Sequence, residues 1–193
     1  MRDRVRRGVW LPCVLPCLVL LSAIDLYAQG TAAPRAVARK QASAIPLPAG
    51  ESIEVDGRLN DAVWQRAVAV TDFVQKEPIE NAPPTERMEV RFVYSDVALY
   101  VGARMYSSHP AAIQAPLSRR DAADTPAENV LISLDTFHDR RTAFTFGVTA
   151  SGVRIDRFYP RDDDTTADDS FNPVWEARTA ADELGWTAEL WIP

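Results

Sequence analysis

The sequence predicts an all-β domain: an antiparallel, jelly-roll-like β-sandwich with one short helix. Three observations predict it. Met88, Val90, Phe92 and Tyr94 alternate with Glu89 and Arg91, and similar short runs recur along most of residues 45–193. That is the period of a strand with one buried face. The runs are parted by brief turn-forming stretches such as Ser95-Asp96-Val97 and Ala150-Ser151-Gly152, too short for the crossover helices that parallel strands need. Helical patterning is confined to one place, so the strand–helix alternation of an α/β fold is missing.

In chain order, residues 1–28 stand apart from the fold. Arg2, Arg4, Arg6 and Arg7 precede an apolar stretch from Val9 to Leu21, and Ala28 offers a small residue for cleavage. This is the layout of a secretory signal peptide, with about a dozen apolar residues instead of the ~20 that span a bilayer. An uncleaved anchor is the alternative. Both cysteines, Cys13 and Cys17, lie inside this segment. A chain cut after Ala28 therefore has no disulfide and no thiolate metal ligand. Residues 29–44 are small and polar without period and read as a flexible linker.

The whole chain has 21 basic and 27 acidic residues, a formal charge of −6; without residues 1–28 the counts are 17 and 25, a charge of −8. An acidic chain makes a poor partner for phosphate backbones, so nucleic-acid binding is excluded as an expectation.

The folded region is expected over residues 45–193. Asp56-Gly57 makes a turn, and Asn60 is placed to cap a short helix carrying Ala62, Val63, Trp64 and Ala67. The Met88–Tyr94 run and the Leu99–Met105 run form a hairpin. Val130, Ile132 and Leu134 mark the next strand, Phe144, Phe146 and Val148 another, and Val153, Ile155 and Phe158 a third. Val174–Thr179 and Trp186–Ile192 close the series around the turn Ala181–Gly185. A sandwich ending on an alternating strand at Trp191-Ile192-Pro193 would carry an unpaired edge there. The expectation is a domain truncated at its C-terminus, part of a longer protein.

Four stretches, in order, resemble the family 9 carbohydrate-binding modules: EVDGRLNDAVWQRA, EVRFVYSDVALYVGARMY, LISLDTFHDRRTAFTFGVTASGVRIDRF and GWTAELWIP. Asp135-Thr136-Phe137, Asp139-Arg140-Arg141 and the Gly185–Pro193 segment are similar to the variant that precedes outer-membrane β-barrels in Gram-negative bacteria. The resemblance implies a non-catalytic module that binds oligosaccharide or polysaccharide ends, of the kind linked to xylan breakdown by glycoside hydrolases. It implies an exported protein, secreted, periplasmic or outer-membrane-associated, and structural calcium nearby. A periplasmic interaction or gating domain of such a barrel is the second reading. The family's sugar-holding positions carry over poorly. Ala123–Ala127 occupy the loop where its first tryptophan would sit, Leu131 its acidic position and Gly147 its basic position.

Among individual residues, Trp64 and Trp186 fall on apolar stripes and are expected in the core, while Trp191 lies on the opposite face from Leu190 and Ile192. Trp175, after an acidic loop, is the candidate for stacking a sugar ring, with burial in the core as the alternative. Arg120 and Asp121 are candidates for a ligand rim, or else a solvated strand end. Five aspartates lie between Asp162 and Asp169; Asp162 and Asp164 are the candidate calcium ligands, against a merely solvated acidic loop. Finally, Asp135, His138, Asp139, Arg140 and Arg141 read as a hairpin tip, because a catalytic histidine there has neither nucleophile nor metal partner in view.

Overall fold

The computed structural model describes residues 40–122 and 125–193. The expected signal peptide, residues 29–39 of the linker, and Ala123 and Asp124 lie outside them. The elements are β1 (Ala44–Pro46), α1 (Ala62–Arg66), β2 (Met88–Tyr94), β3 (Leu99–Tyr106), β4 (Asn129–Leu134), β5 (Ala143–Thr149), β6 (Arg154–Tyr159), β7 (Glu176–Asp182) and β8 (Gly185–Ile192). They form two sheets, β1-β2-β3-β8-β7 and β4-β5-β6. The all-β sandwich is the observed architecture.

All strand pairs but one are antiparallel; β1 runs parallel to β2. The sequence reading missed this strand, whose Ala44 was assigned to the linker. A parallel neighbour needs a long crossover, and residues 47–87 with α1 supply it. The helix is also capped differently: Asp61, not Asn60, is its N-cap, and no side chain bonds its first turn. The Asp61 carboxylate instead accepts the Glu54 N–H at 3.3 Å.

Alternation decides the packing. Val90, Val101, Ala103, Phe146, Val148, Trp175, Trp186 and Leu190 meet in one core. Val63, Trp64 and Ala67 form a smaller cluster with Val93 and thereby cover part of the outer face of the five-stranded sheet. The Asp-Gly turn fixes that cover in place. Gly57, at φ +90°, lies so close to Thr179 that a Cβ would meet its backbone carbonyl carbon at 2.6 Å. Glu189 of β8, fully buried, accepts N–H bonds from Asp56 at 3.0 Å, Gly57 at 2.9 Å and the Trp64 indole at 2.8 Å. Burial pushes its carboxyl up to about 7, against the pull of those three donors. Thr187 donates its hydroxyl to the Gly57 carbonyl at 2.6 Å. One buried carboxylate thus ties the N-terminal turn and helix to the penultimate outward position of the last strand.

Candidate functional site

Even-numbered residues of β4, β5 and β6 face the core, which leaves the odd-numbered ones on the outer surface of the three-stranded sheet. Leu131, Ser133, Thr145, Arg157 and Tyr159 belong to that outer set, and with the β4–β5 tip and the loop after β6 they line an open groove of about 620 Å³. Ser133 and Thr145 join their hydroxyls at 2.7 Å across the strand pair. Arg157 is held by Asp169 at 3.0 Å. Four arginines (Arg140, Arg141, Arg157 and Arg161) face four aspartates (Asp135, Asp162, Asp163 and Asp164), so the charges in the groove balance. Paired charges, hydroxyls and a half-buried tyrosine make a surface suited to a neutral, polyhydroxylated ligand.

The tip beside this groove is a folded turn. Asp135 accepts the N–H groups of Asp139 at 3.1 Å and Arg140 at 2.8 Å. Asp139 accepts those of Thr142 and Arg141, both at 2.8 Å, which holds its carboxyl below the usual range. His138 and Arg140 take positive φ angles of 55° and 58°. Both carboxylates are therefore spent on shaping the loop, and neither orients His138.

The chain aligns with a family 9 carbohydrate-binding module from Caldicellulosiruptor kristjanssonii in complex with cellotriose, at a TM-score of 0.51 and 18% identity, over 78% of this chain and 67% of that one. A second structure of such a module from that organism, in complex with glucose, aligns with the same score and identity over 78% and 68%. This chain has the family 9 carbohydrate-binding module fold. No protein-family model matches the sequence, and neither does any curated protein. At 18% identity the likeness establishes the shared fold, and site residues have to be placed one by one.

Trp175 is not a stacking residue. It is 1% exposed, its ring packs edge-on against Phe146 at 5.4 Å, and its indole N–H points to Asp156 at 3.3 Å. Trp175 immediately precedes β7 and shares the phase of buried Ala177, so it faces the core. Arg120 and Asp121, the candidates for a ligand rim, both bond to the buried Asp156. Arg120 donates to the Asp156 carboxylate, Nε at 2.7 Å and Nη2 at 2.6 Å, and Asp121 accepts the Asp156 N–H at 2.8 Å. Burial, reinforced by the Asp156 charge, raises the Asp121 carboxyl. The two residues serve a buried network around Asp156, which is fully inaccessible and leaves Oδ2 without a partner.

Four aspartates of the acidic loop are each engaged separately. Asp163 accepts the backbone N–H of Thr165 at 2.9 Å, Asp164 pairs with Lys76 at 3.1 Å, Asp168 accepts the N–H of Ser170 at 2.9 Å, and Asp169 holds Arg157. Asp162 and Asp164 point no converging set of oxygens at one spot: among the described residues, no three acidic, histidine or cysteine side chains come together.

The carry-over of family positions gains a physical form. Leu131 and Gly147 are cross-strand partners, and a Cβ on Gly147 would overlap the Leu131 side chain at 2.2 Å. Where the family would place an acid opposite a base, a leucine lies over bare backbone. Trp191, half-buried and paired with Tyr100 on the outside of the other sheet, is the described tryptophan that keeps contact with solvent. Only its phase relative to Leu190 and Ile192 signalled this in the sequence.

Proposed function

We propose that the chain is a non-catalytic carbohydrate-binding module of an exported protein, and that it takes neutral oligosaccharide or polysaccharide ends in the groove on the three-stranded sheet. The observation that carries the reading is the fold it shares with modules solved with cellotriose and with glucose. In the groove, Tyr159 offers the apolar C–H face of a pyranose its ring, while Arg157, steadied by Asp169, and the tip arginines meet hydroxyls. The basic start and apolar Val9–Leu21 stretch support export, and polysaccharide of the xylan type is the expected target.

Calorimetric titration of the full chain with cello- and xylo-oligosaccharides tests this. Binding should weaken at least tenfold in Tyr159→Ala, the loss of about one ring contact. No heat with any neutral oligosaccharide from a folded chain refutes it. Binding lost in Trp191→Ala but kept in Tyr159→Ala would move the site to the other sheet.

A second reading is favoured by the leucine over Gly147 and by the burial of Trp175. In it the sugar site has degenerated and the sandwich serves as a periplasmic interaction or gating domain of an outer-membrane barrel. Retention of the chain on that barrel, together with silence towards neutral sugars, is its test.

A further inference from the structure

The five-stranded sheet carries a groove of its own, about 530 Å³, on its outer face. The helix segment covers only part of this face: Leu59 and Trp64 fill the space above Gly102, where a Cβ would meet them at 2.9 and 3.0 Å. Beyond that cover the floor is open, made by Glu89, Arg91, Arg104 and Tyr106, with Arg58 from the segment that precedes α1.

Its charges do not balance. Arg104 is matched by Asp182 in a bidentate pair at 2.7 and 2.6 Å. Glu89, only 7% exposed, is a single carboxylate serving two guanidiniums, Arg91 at 2.8 Å and Arg87 at the groove's margin. The Arg58 guanidinium has no acidic partner among the described residues; its backbone N–H alone is bonded, to Asp56. Among the lining residues three arginines stand against two acids, one positive charge in excess, in a chain whose formal charge is −6. The other groove, by contrast, is balanced. The excess is also fixed in place: the Arg91 guanidinium is oriented by a buried carboxylate, which leaves its remaining N–H groups free for a ligand and removes much of the entropy lost on binding. The exposed amides of Asn60 and Gln65 line the same groove and make no side-chain hydrogen bond among the described residues.

We propose that this groove is a second binding site, and that it takes an anionic sugar, the acid group seated between Arg58 and Arg91 and the hydroxyls meeting Asn60 and Gln65. A guanidinium fork accepts a carboxylate or a phosphoryl group equally well, so the acid comes from a uronic-acid unit or from a sugar phosphate. The proposal is independent of the neutral-sugar reading, which uses the other face.

The test is calorimetric titration of the full chain with a glucuronic-acid oligosaccharide, with glucose 6-phosphate and with cellotriose, at low and high salt. At least one of the two anionic ligands should bind, and the tighter one identifies the acid group. Its affinity should fall at high salt and by about tenfold or more in Arg58→Glu, an exposed position whose change leaves the core untouched. Arg91→Gln should weaken it similarly, while cellotriose binding should not respond to Arg58→Glu. Failure of both anionic ligands to bind overturns the proposal, as does unchanged affinity in Arg58→Glu. Anionic binding without cellotriose binding would sustain it while removing the neutral-sugar reading.

Discussion

Replacing Gly57 with alanine should be far more damaging than replacing Gly50, although both glycines have nearly the same backbone angle. Gly57 is at φ +90° and Gly50 at φ +84°. A side chain at either position costs about 1–2 kcal/mol for the left-handed conformation alone. At Gly50 that is the whole effect, because a Cβ there meets nothing within 4 Å. At Gly57 the Cβ would lie 2.6–2.8 Å from three backbone atoms of Thr179. Backbone cannot rotate away as a side chain can, so the overlap adds about 1–3 kcal/mol. The shift also stretches the two N–H bonds that the turn gives to buried Glu189, for up to another ~1–3 kcal/mol. Gly57→Ala should therefore lose about 3–6 kcal/mol, a fall in Tm on the order of 10–20 °C for a domain of this size. Gly50→Ala should lose only a few degrees. Urea denaturation followed by tryptophan fluorescence gives both values. If the two variants fall within about 0.5 kcal/mol of each other, the close approach at Thr179 contributes nothing and the reasoning is wrong.

Two further outcomes are expected. Because the folded Glu189 carboxyl is pushed up to about 7 from an ordinary 4.5, the folded state holds a proton that the unfolded chain has already released, and stability should decline as pH rises from about 4.5 through 7. The full span is on the order of 3 kcal/mol; Tm measured across that range should fall in the parent and run flatter in Glu189→Gln, which cannot satisfy all three donors and starts lower. Trp175→Phe should cost about 1–3 kcal/mol in urea denaturation, since it loses ring volume and the bond to Asp156, while leaving neutral-sugar affinity within twofold. A selective loss of sugar binding there would return Trp175 to the ligand.

The strands were legible because alternation records burial directly. Val90, Val101, Val148 and Leu190 sit in the core as their phase requires. The helix was legible from Trp64 and its neighbours, but β1 was not, since three residues are too few to alternate. Site residues were harder for a different reason. Phase assigns a side chain to a face and cannot say what covers that face. Trp175 shares the phase of Ala177 in the expected Val174–Thr179 strand, yet only the packing of Phe146 and Asp156 decides that this face is covered. Arg120 and Asp121 looked like a solvated end because their partner, Asp156, lies 35 and more residues away. The Asp135–Arg141 tip was read correctly, since its bonds are local and short turns are written in local sequence. The positive groove was invisible because its arginines come from three separate stretches of an acidic chain.

The position of β8 sets an order of events during synthesis. It lies between β3 and β7 in its sheet, and its Glu189 is the acceptor on which the Asp56–Gly57 turn and Trp64 close. While the ribosome is still making residues 107–184, the β2–β3 hairpin has no partner on one side, and the helix segment lacks the Glu189 acceptor on which it closes. The five-stranded sheet must therefore wait for β8 before it can assemble, with long-range contacts formed late and slowly. A nascent chain of this kind exposes a bare sheet edge at β3 until β8 has been made.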